Sequence, residues 1–159
     1  FMAPTVVKAP QPIDVHLQHE RPRLFLAGSI EMGRAELWQP KVAEGLADLD
    51  LVIFDPRRDN WDPSWRQSID EPRFREQVEW ELTALEASTL IAMSFEPSTR
   101  APITLLELGL FARSGRLLVC CPEGYWRRGN VEVVCARYGV SLMSSFDELM
   151  AELRERLLG

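Results

Sequence analysis

Short apolar runs at residues 24–27, 51–54, 89–94, 117–121 and 140–143 alternate with longer amphipathic stretches. Runs of that length fit strands, and the intervening stretches fit helices, so the pattern predicts successive βαβ units and a mainly parallel sheet. The predicted fold is a single doubly wound α/β domain, flavodoxin- or Rossmann-like, with a five-stranded sheet and helices on both faces. It is expected over residues 23–159. Residues 1–22 carry Pro4, Pro10, Pro12 and Pro22 without clear periodicity and read as an extended N-terminal arm. Helices are expected from about 33 to 47, from a cap at Asp70 or Glu71 with Pro72 in the first turn to about 86, from Pro102 to about 114, from Asn130 to about 138, and over 146–158.

Composition narrows the function classes. At 159 residues, 46% hydrophobic and 26% charged, the chain has the make-up of an ordinary globular protein. The net charge of −6 argues against a broad nucleic-acid surface, because phosphate affinity comes largely from Lys and Arg. No apolar run reaches the roughly 20 residues that span a bilayer, and no charged-then-apolar leader opens the sequence. The expected setting is the cytoplasm. Cys120, Cys121 and Cys135 form no CxxC pair and read as reduced, buried thiols. A zinc site at His16 and His19 would need more ligands than that segment offers, so no metal is expected. Neither GxGxxG nor a Walker-type phosphate loop is present, and no cofactor is predicted.

In an open parallel sheet, ligands bind outside the carboxyl ends of the strands. That rule directs attention to Gly28-Ser29 and to residues 55–58, 94–101 and 122–130. Two acids stand out near these ends. The helix opened by Pro102 is apolar nearly all round, which predicts burial, and Glu107 sits in its middle. Ile103, Leu110 and Phe111 are its helical neighbours, and no Lys or Arg lies three or four residues away. A carboxylate there is desolvated without a local partner, which makes it a functional candidate. The alternative is a glutamate at the helix rim, facing water or bonded to a backbone amide. In the preceding helix the apolar stripe reads Phe74, Val78, Leu82 and Leu85. Glu81 falls beside it, while Glu79 shares the wet face with Arg75, Glu76, Thr83 and Glu86. Glu81 and Glu107 flank the third predicted strand and can meet if the packing turns both helices inward. Paired carboxylates suit glycosyl chemistry, with one attacking the anomeric carbon and the other moving a proton.

The segments FLAGSI (25–30), DPRR (55–58), QVEWE (77–81), PITLLELG (102–109) and GN (129–130) together resemble the nucleoside 2-deoxyribosyltransferase-like family. The resemblance implies that Glu107 is the nucleophile that forms a covalent deoxyribosyl intermediate. It implies that Glu81 contacts the leaving base or passes it a proton. Gly28 and Ser29 would shape the sugar or phosphate pocket, with Asp55 in the matching second segment. Asn130 resembles an asparagine that reaches a neighbouring subunit's site, which implies a homo-oligomer. The implied reaction cleaves the N-glycosidic bond of a small-molecule nucleoside or nucleotide and transfers the deoxyribosyl group to another base.

The pattern departs from the best-known transferases before the nucleophile, where Ala101 stands at the spacing of their sugar-holding acid and Glu96 is the nearest acid. This leaves room for relatives that hydrolyse nucleoside 5′-monophosphates. Ser98 and the arginines Arg57, Arg58 and Arg100 could then meet the phosphate; otherwise these arginines would pair at the surface with Asp59 and Asp62. Trp61, Trp65 and Trp126 lie in loops where a ring can stack on a base or cover the edge of the core, while Trp38 and Trp80 are expected in packing. Two further readings stay open: a non-catalytic nucleotide-binding module, and an NAD-cleaving hydrolase.

Overall fold

The computed structural model describes residues 3–18, 20–28 and 37–159. Six strands form one parallel sheet: β1 (Thr5–Lys8), β2 (Arg23–Gly28), β3 (Val52–Asp55), β4 (Leu90–Ser94), β5 (Leu117–Cys120) and β6 (Ser141–Met143), in the order β1-β3-β2-β4-β5-β6. Among the described residues, five helices cover it: α1 (Trp38–Gly45), α2 (Pro72–Ala87), α3 (Pro102–Phe111), α4 (Arg128–Tyr138) and α5 (Phe146–Leu158). The chain steps from β2 outward to β3, then crosses back over β2 to β4 and continues to β6. That reversal makes the sheet doubly wound and puts the topological switch point between β2 and β4.

The two faces follow from alternation along each strand. Phe25, Ala27, Val52, Phe54, Ile91, Met93 and Val119 point to the side covered by α2, α3 and α4. Leu24, Leu26, Ile53, Ala92 and Leu118 point to the side covered by Trp38, Val42, Leu149 and Leu153 of α1 and α5. Buried on both sides, the strands read as near-continuous apolar runs. The three cysteines are unpaired and buried.

The sheet has six strands where five were expected. The additional one, β1, comes from the segment read as an extended arm. It pairs with β3 in the register Thr5↔Val52 to Lys8↔Asp55. Thr5 N–H donates to the Leu51 carbonyl at 2.9 Å, and Ala9 N–H to the Asp55 carbonyl at 3.1 Å. Arg21 staples the junction by donating to Thr5 Oγ1 and to the Leu51 carbonyl. The first predicted helix is described from Trp38 to Gly45; its expected start at Gly33 lies outside the described residues. Among the described residues, no helix is long and apolar enough to cross a membrane.

At the carboxyl end of β2 the packing leaves no room for a side chain. A Cβ on Gly28 would stand 2.6 Å from the Trp38 ring and 2.8 Å from the Ser94 carbonyl oxygen. Both neighbours belong to packed elements, so Gly28→Ala should destabilise the fold by about 1–3 kcal/mol through overpacking. Chemical denaturation of the two proteins measures this, and an unchanged midpoint would mean that Trp38 moves aside freely.

Candidate active site

Helix α2 begins at Pro72, with Glu71 in an extended conformation as its N-cap. At the other end, Arg116 Nη1 donates to the carbonyls of Leu85, Glu86 and Ser88, placing a cation where the helix dipole is negative. The buried face of α2 is Gln77, Trp80, Ala84 and Leu85. This corrects the predicted stripe of Phe74, Val78, Leu82 and Leu85, since Val78 is 36% exposed. Two polar anchors set the rotation. Gln77 Nε2 donates to the Pro56 carbonyl at 2.8 Å, and Trp80 Nε1 donates to the Gln11 carbonyl at 2.8 Å. Glu81 follows Gln77 by one turn and is half-buried.

Helix α3 buries Thr104, Glu107, Leu108 and Phe111. Its opposite face carries Ile103, Leu106 and Leu110, each more than half exposed. A helix expected to be enclosed all round is therefore enclosed on one side, and Glu107, at 8% exposure, is on that side. The start of α3 is strained. Ala101 has φ 47° and ψ 54°, the left-handed region, directly before Pro102; a residue preceding proline ordinarily stays extended. The preceding carbonyl, of Arg100, is held from the β5–α4 loop by the Tyr125 hydroxyl and by Trp126 Nε1. The Arg100 and Arg127 guanidinium groups also stack on the Trp126 ring, at 5.2 and 4.4 Å from its centroid.

Helices α2 and α3 thus turn both singled-out acids inward, close enough to feel one another's charge. Burial pushes the Glu107 carboxyl up to about 8, and the neighbouring Glu81 charge adds to the rise. Burial likewise pushes Glu81 up to about 7, while a hydrogen bond from the Gln77 side chain pulls the other way. Such a pair holds a proton near neutrality, and its two titrations belong to the pair. Gln77 is the site residue that the sequence reading passed over. Its signal is a polar side chain one turn before Glu81 on the inward face.

The other predicted residues are more scattered. Gly28 ends β2 beside Ser94; Ser29 lies outside the described residues. Asp55 ends β3 and is buried, which raises its carboxyl above the usual range, against the Arg57 N–H bonded to it at 3.0 Å. Arg57 has Nε and Nη2 buried without a hydrogen-bond partner among the described residues. Arg58 pairs with Glu76 at 2.9 Å rather than with Asp59 or Asp62; Asp59 instead takes Lys8. Trp61 packs edge-on against Trp65, ring centroids 4.9 Å apart. Ser98 is exposed, 3.5 Å from Glu96. Asn130 is exposed on the first turn of α4. A cavity of about 230 Å³ lies at the carboxyl ends of β4 and β5, bounded by Trp38, Lys41, Ser94, Glu96, Pro122 and Phe146. It opens on the α1–α5 side of the sheet, opposite the acid pair.

The family model described as "Nucleoside 2-deoxyribosyltransferase like" matches residues 21–125, more than half of the chain. A search of the curated proteins gives no match. Among solved structures, the chain is similar to a conserved protein from Enterococcus faecalis V583, with a TM-score of 0.61 at 13% sequence identity, covering 86% of this chain and 99% of that one. At that identity the likeness shows the shared fold.

The acid pair links stability to pH with a definite sign. The folded state holds the Glu107 proton up to about 8, whereas an unperturbed glutamate releases it near 4.5. Between those values the folded protein binds more protons than the unfolded chain, so stability falls as pH rises through the window. Glu107→Gln mimics the protonated acid. Its Tm should match that of the unsubstituted protein below pH 4.5 and exceed it above pH 8. A pH-independent difference in Tm would show that Glu107 titrates as an ordinary carboxyl.

Proposed function

The chain belongs to the nucleoside 2-deoxyribosyltransferase-like family, and from that premise we propose that it cleaves the N-glycosidic bond of a (deoxy)nucleoside and transfers the deoxyribosyl group to another base, with Glu107 as nucleophile. The observation that supports this reading is the inward-facing Glu81–Glu107 pair, which holds one carboxylate and one carboxylic acid near neutrality. In the reacting state Glu107 is ionised and Glu81 carries the proton. The Glu107 carboxylate attacks C1′, the C1′–N bond breaks with its electron pair going to the base, and Glu81 protonates that base. A second base then attacks C1′, expelling Glu107 and returning its proton to Glu81. Without ligand, Glu107 keeps its proton to higher pH than Glu81. The cationic character that develops at C1′ beside Glu107 favours the opposite assignment, placing the anion where it attacks.

Water in place of the second base gives hydrolysis. Ala101, which offers no carboxylate to a sugar hydroxyl at the start of α3, is the observation that keeps a nucleoside 5′-monophosphate hydrolase as the second reading. The proposed enzyme is a homo-oligomer. The row Ile103, Leu106 and Leu110 is apolar and uncharged, so a two-fold axis can set it against its own copy without like-charge repulsion. Asn130, exposed on α4, is then available to a neighbouring site.

Chromatography of free base and new nucleoside, with and without an acceptor base, tests the chemistry. Glu107→Ala should abolish turnover, and Glu81→Gln should lower it by roughly 10²–10⁴-fold. Turnover by Glu107→Ala equal to that of the unsubstituted protein would overturn the assignment. Light scattering tests the assembly. Leu106→Lys should shift the protein toward monomer, and a monomeric unsubstituted protein would remove the oligomer from the proposal.

A further inference from the structure

Helix α3 carries Glu107, yet the direction of its first turn is set from outside it. Its N-cap is Ala101, which has no polar side chain to cap with, and Pro102 follows directly. The left-handed turn at Ala101 has two sides. On the helix side, the Ala101 carbonyl accepts the first helical hydrogen bond, from Leu105 N–H at 3.1 Å, which ties ψ to the helix. On the other side, φ of 47° is the rotation that joins Ala101 to the planar Arg100–Ala101 peptide. Relaxing φ toward the negative values that suit an alanine would turn that plane over and swing the Arg100 carbonyl with it. The same carbonyl is what the Tyr125 hydroxyl and Trp126 Nε1 hold. Both hydrogen bonds therefore oppose the rotation that would release the strain.

The two donors are not equal. Trp126 is 49% exposed, so water competes for its N–H, whereas Tyr125 is buried and its hydrogen bond keeps more of its strength. The Tyr125 ring lies against Phe95, with centroids 4.8 Å apart. Phe95 directly follows β4, and its N–H donates to the Cys120 carbonyl at the end of β5 at 2.9 Å. The Tyr125 hydroxyl is thus referenced to the sheet itself. The distance from this fixed point to the acid is short. Glu107 comes six residues after Ala101, less than two turns into α3, and lies on its buried face. A rotation at Ala101 tilts α3 and moves the Glu107 carboxyl relative to Glu81, which is carried by α2. Misplacement of a reacting group by about 1 Å can cost about 10²-fold in rate.

We propose that Tyr125 is a positioning residue for Glu107, its hydroxyl fixing the left-handed turn at Ala101 through the Arg100 carbonyl and so the direction of α3. The effect on turnover rests on the N-glycosidase reading; the coupling of the hydroxyl to the turn stands on geometry alone.

The test uses the full chain, Tyr125→Phe, and Tyr125→Phe combined with Ala101→Gly. Tyr125→Phe keeps the ring against Phe95 and removes only the hydroxyl. Ala101→Gly removes the penalty that the left-handed region imposes on a side chain, so the turn can persist without its clamp. Amide hydrogen exchange reads the first turn of α3 without any substrate, with α5 as internal reference. Tyr125→Phe should speed exchange of Leu105 N–H by about tenfold, the factor to which the left-handed penalty of an alanine converts, and leave the α5 amides unchanged. Adding Ala101→Gly should slow that exchange again, although a glycine ordinarily loosens a chain. Chromatography of base released from a saturating deoxynucleoside reads kcat in the same three proteins. Tyr125→Phe should lower kcat with KM held, and Ala101→Gly should recover most of the loss. Unchanged exchange at Leu105, a rise shared by α5, no recovery with Ala101→Gly, or a local and recoverable change in exchange without a change in kcat would overturn the proposal. Base release that depends on Glu107 and is indifferent to Tyr125 would sink this inference and leave the proposed reaction standing. If none of the three proteins releases base, the proposed reaction falls, and exchange alone decides whether Tyr125 sets the direction of α3.

Discussion

Parallel pairing of β2 with β4, from Leu24↔Leu90 to Gly28↔Ser94, is the contact on which the arrangement of the acid pair depends. Helix α2 leads into β4 and α3 leads out of it. Both crossovers move across the sheet in the same direction, so the right-handed rule puts both helices on the same face. They consequently lie side by side, and side chains on their facing flanks meet. Glu81 and Glu107, 26 positions apart in sequence, become neighbours because each sits about midway along a helix that flanks the same strand. The tight packing of Trp38 and Ser94 about Gly28 locks the carboxyl end of that pairing.

An acid pair placed this way is a burden on the fold. Both carboxyl groups are raised by burial, and each disfavours the charge of the other. Arg57 is a similar case, half-buried with its Nε and Nη2 covered and without a hydrogen-bond partner among the described residues. Such groups persist where a site needs preorganised charge, and the stability they forgo is the usual trade between activity and robustness. In this domain the large apolar core on both faces of the sheet supplies the stability against which that loss is set.

Much of this arrangement is legible in the sequence. Strands β2 to β6 announce themselves as apolar runs, and Glu107 stands out because a carboxylate interrupts an otherwise apolar helix. The failures have physical causes. Strand β1 is four residues long and gains its identity only from the edge of β3 beside it. The phase of α2 is set by Gln77 and Trp80, whose hydrogen bonds to the Pro56 and Gln11 carbonyls reach segments distant in sequence; a count of apolar residues favours Val78 and Leu82 instead. On α3 the apolar residues surround the axis, so periodicity cannot say which side faces water. The pairing of Arg58 with Glu76 rather than with an adjacent aspartate depends on α2 passing over the β3–α2 loop.

The hold of Tyr125 and Trp126 on the Arg100 carbonyl joins two loops that belong to successive crossovers. The left-handed turn at Ala101 is uncomfortable in isolation and sits where the chain enters the helix that carries Glu107. Moving the β5–α4 loop outward means breaking both hydrogen bonds and unstacking the Arg100 guanidinium from Trp126. The two loops are therefore tied to each other, and the exposed indole of Trp126 is linked through the Arg100 carbonyl to the first turn of α3.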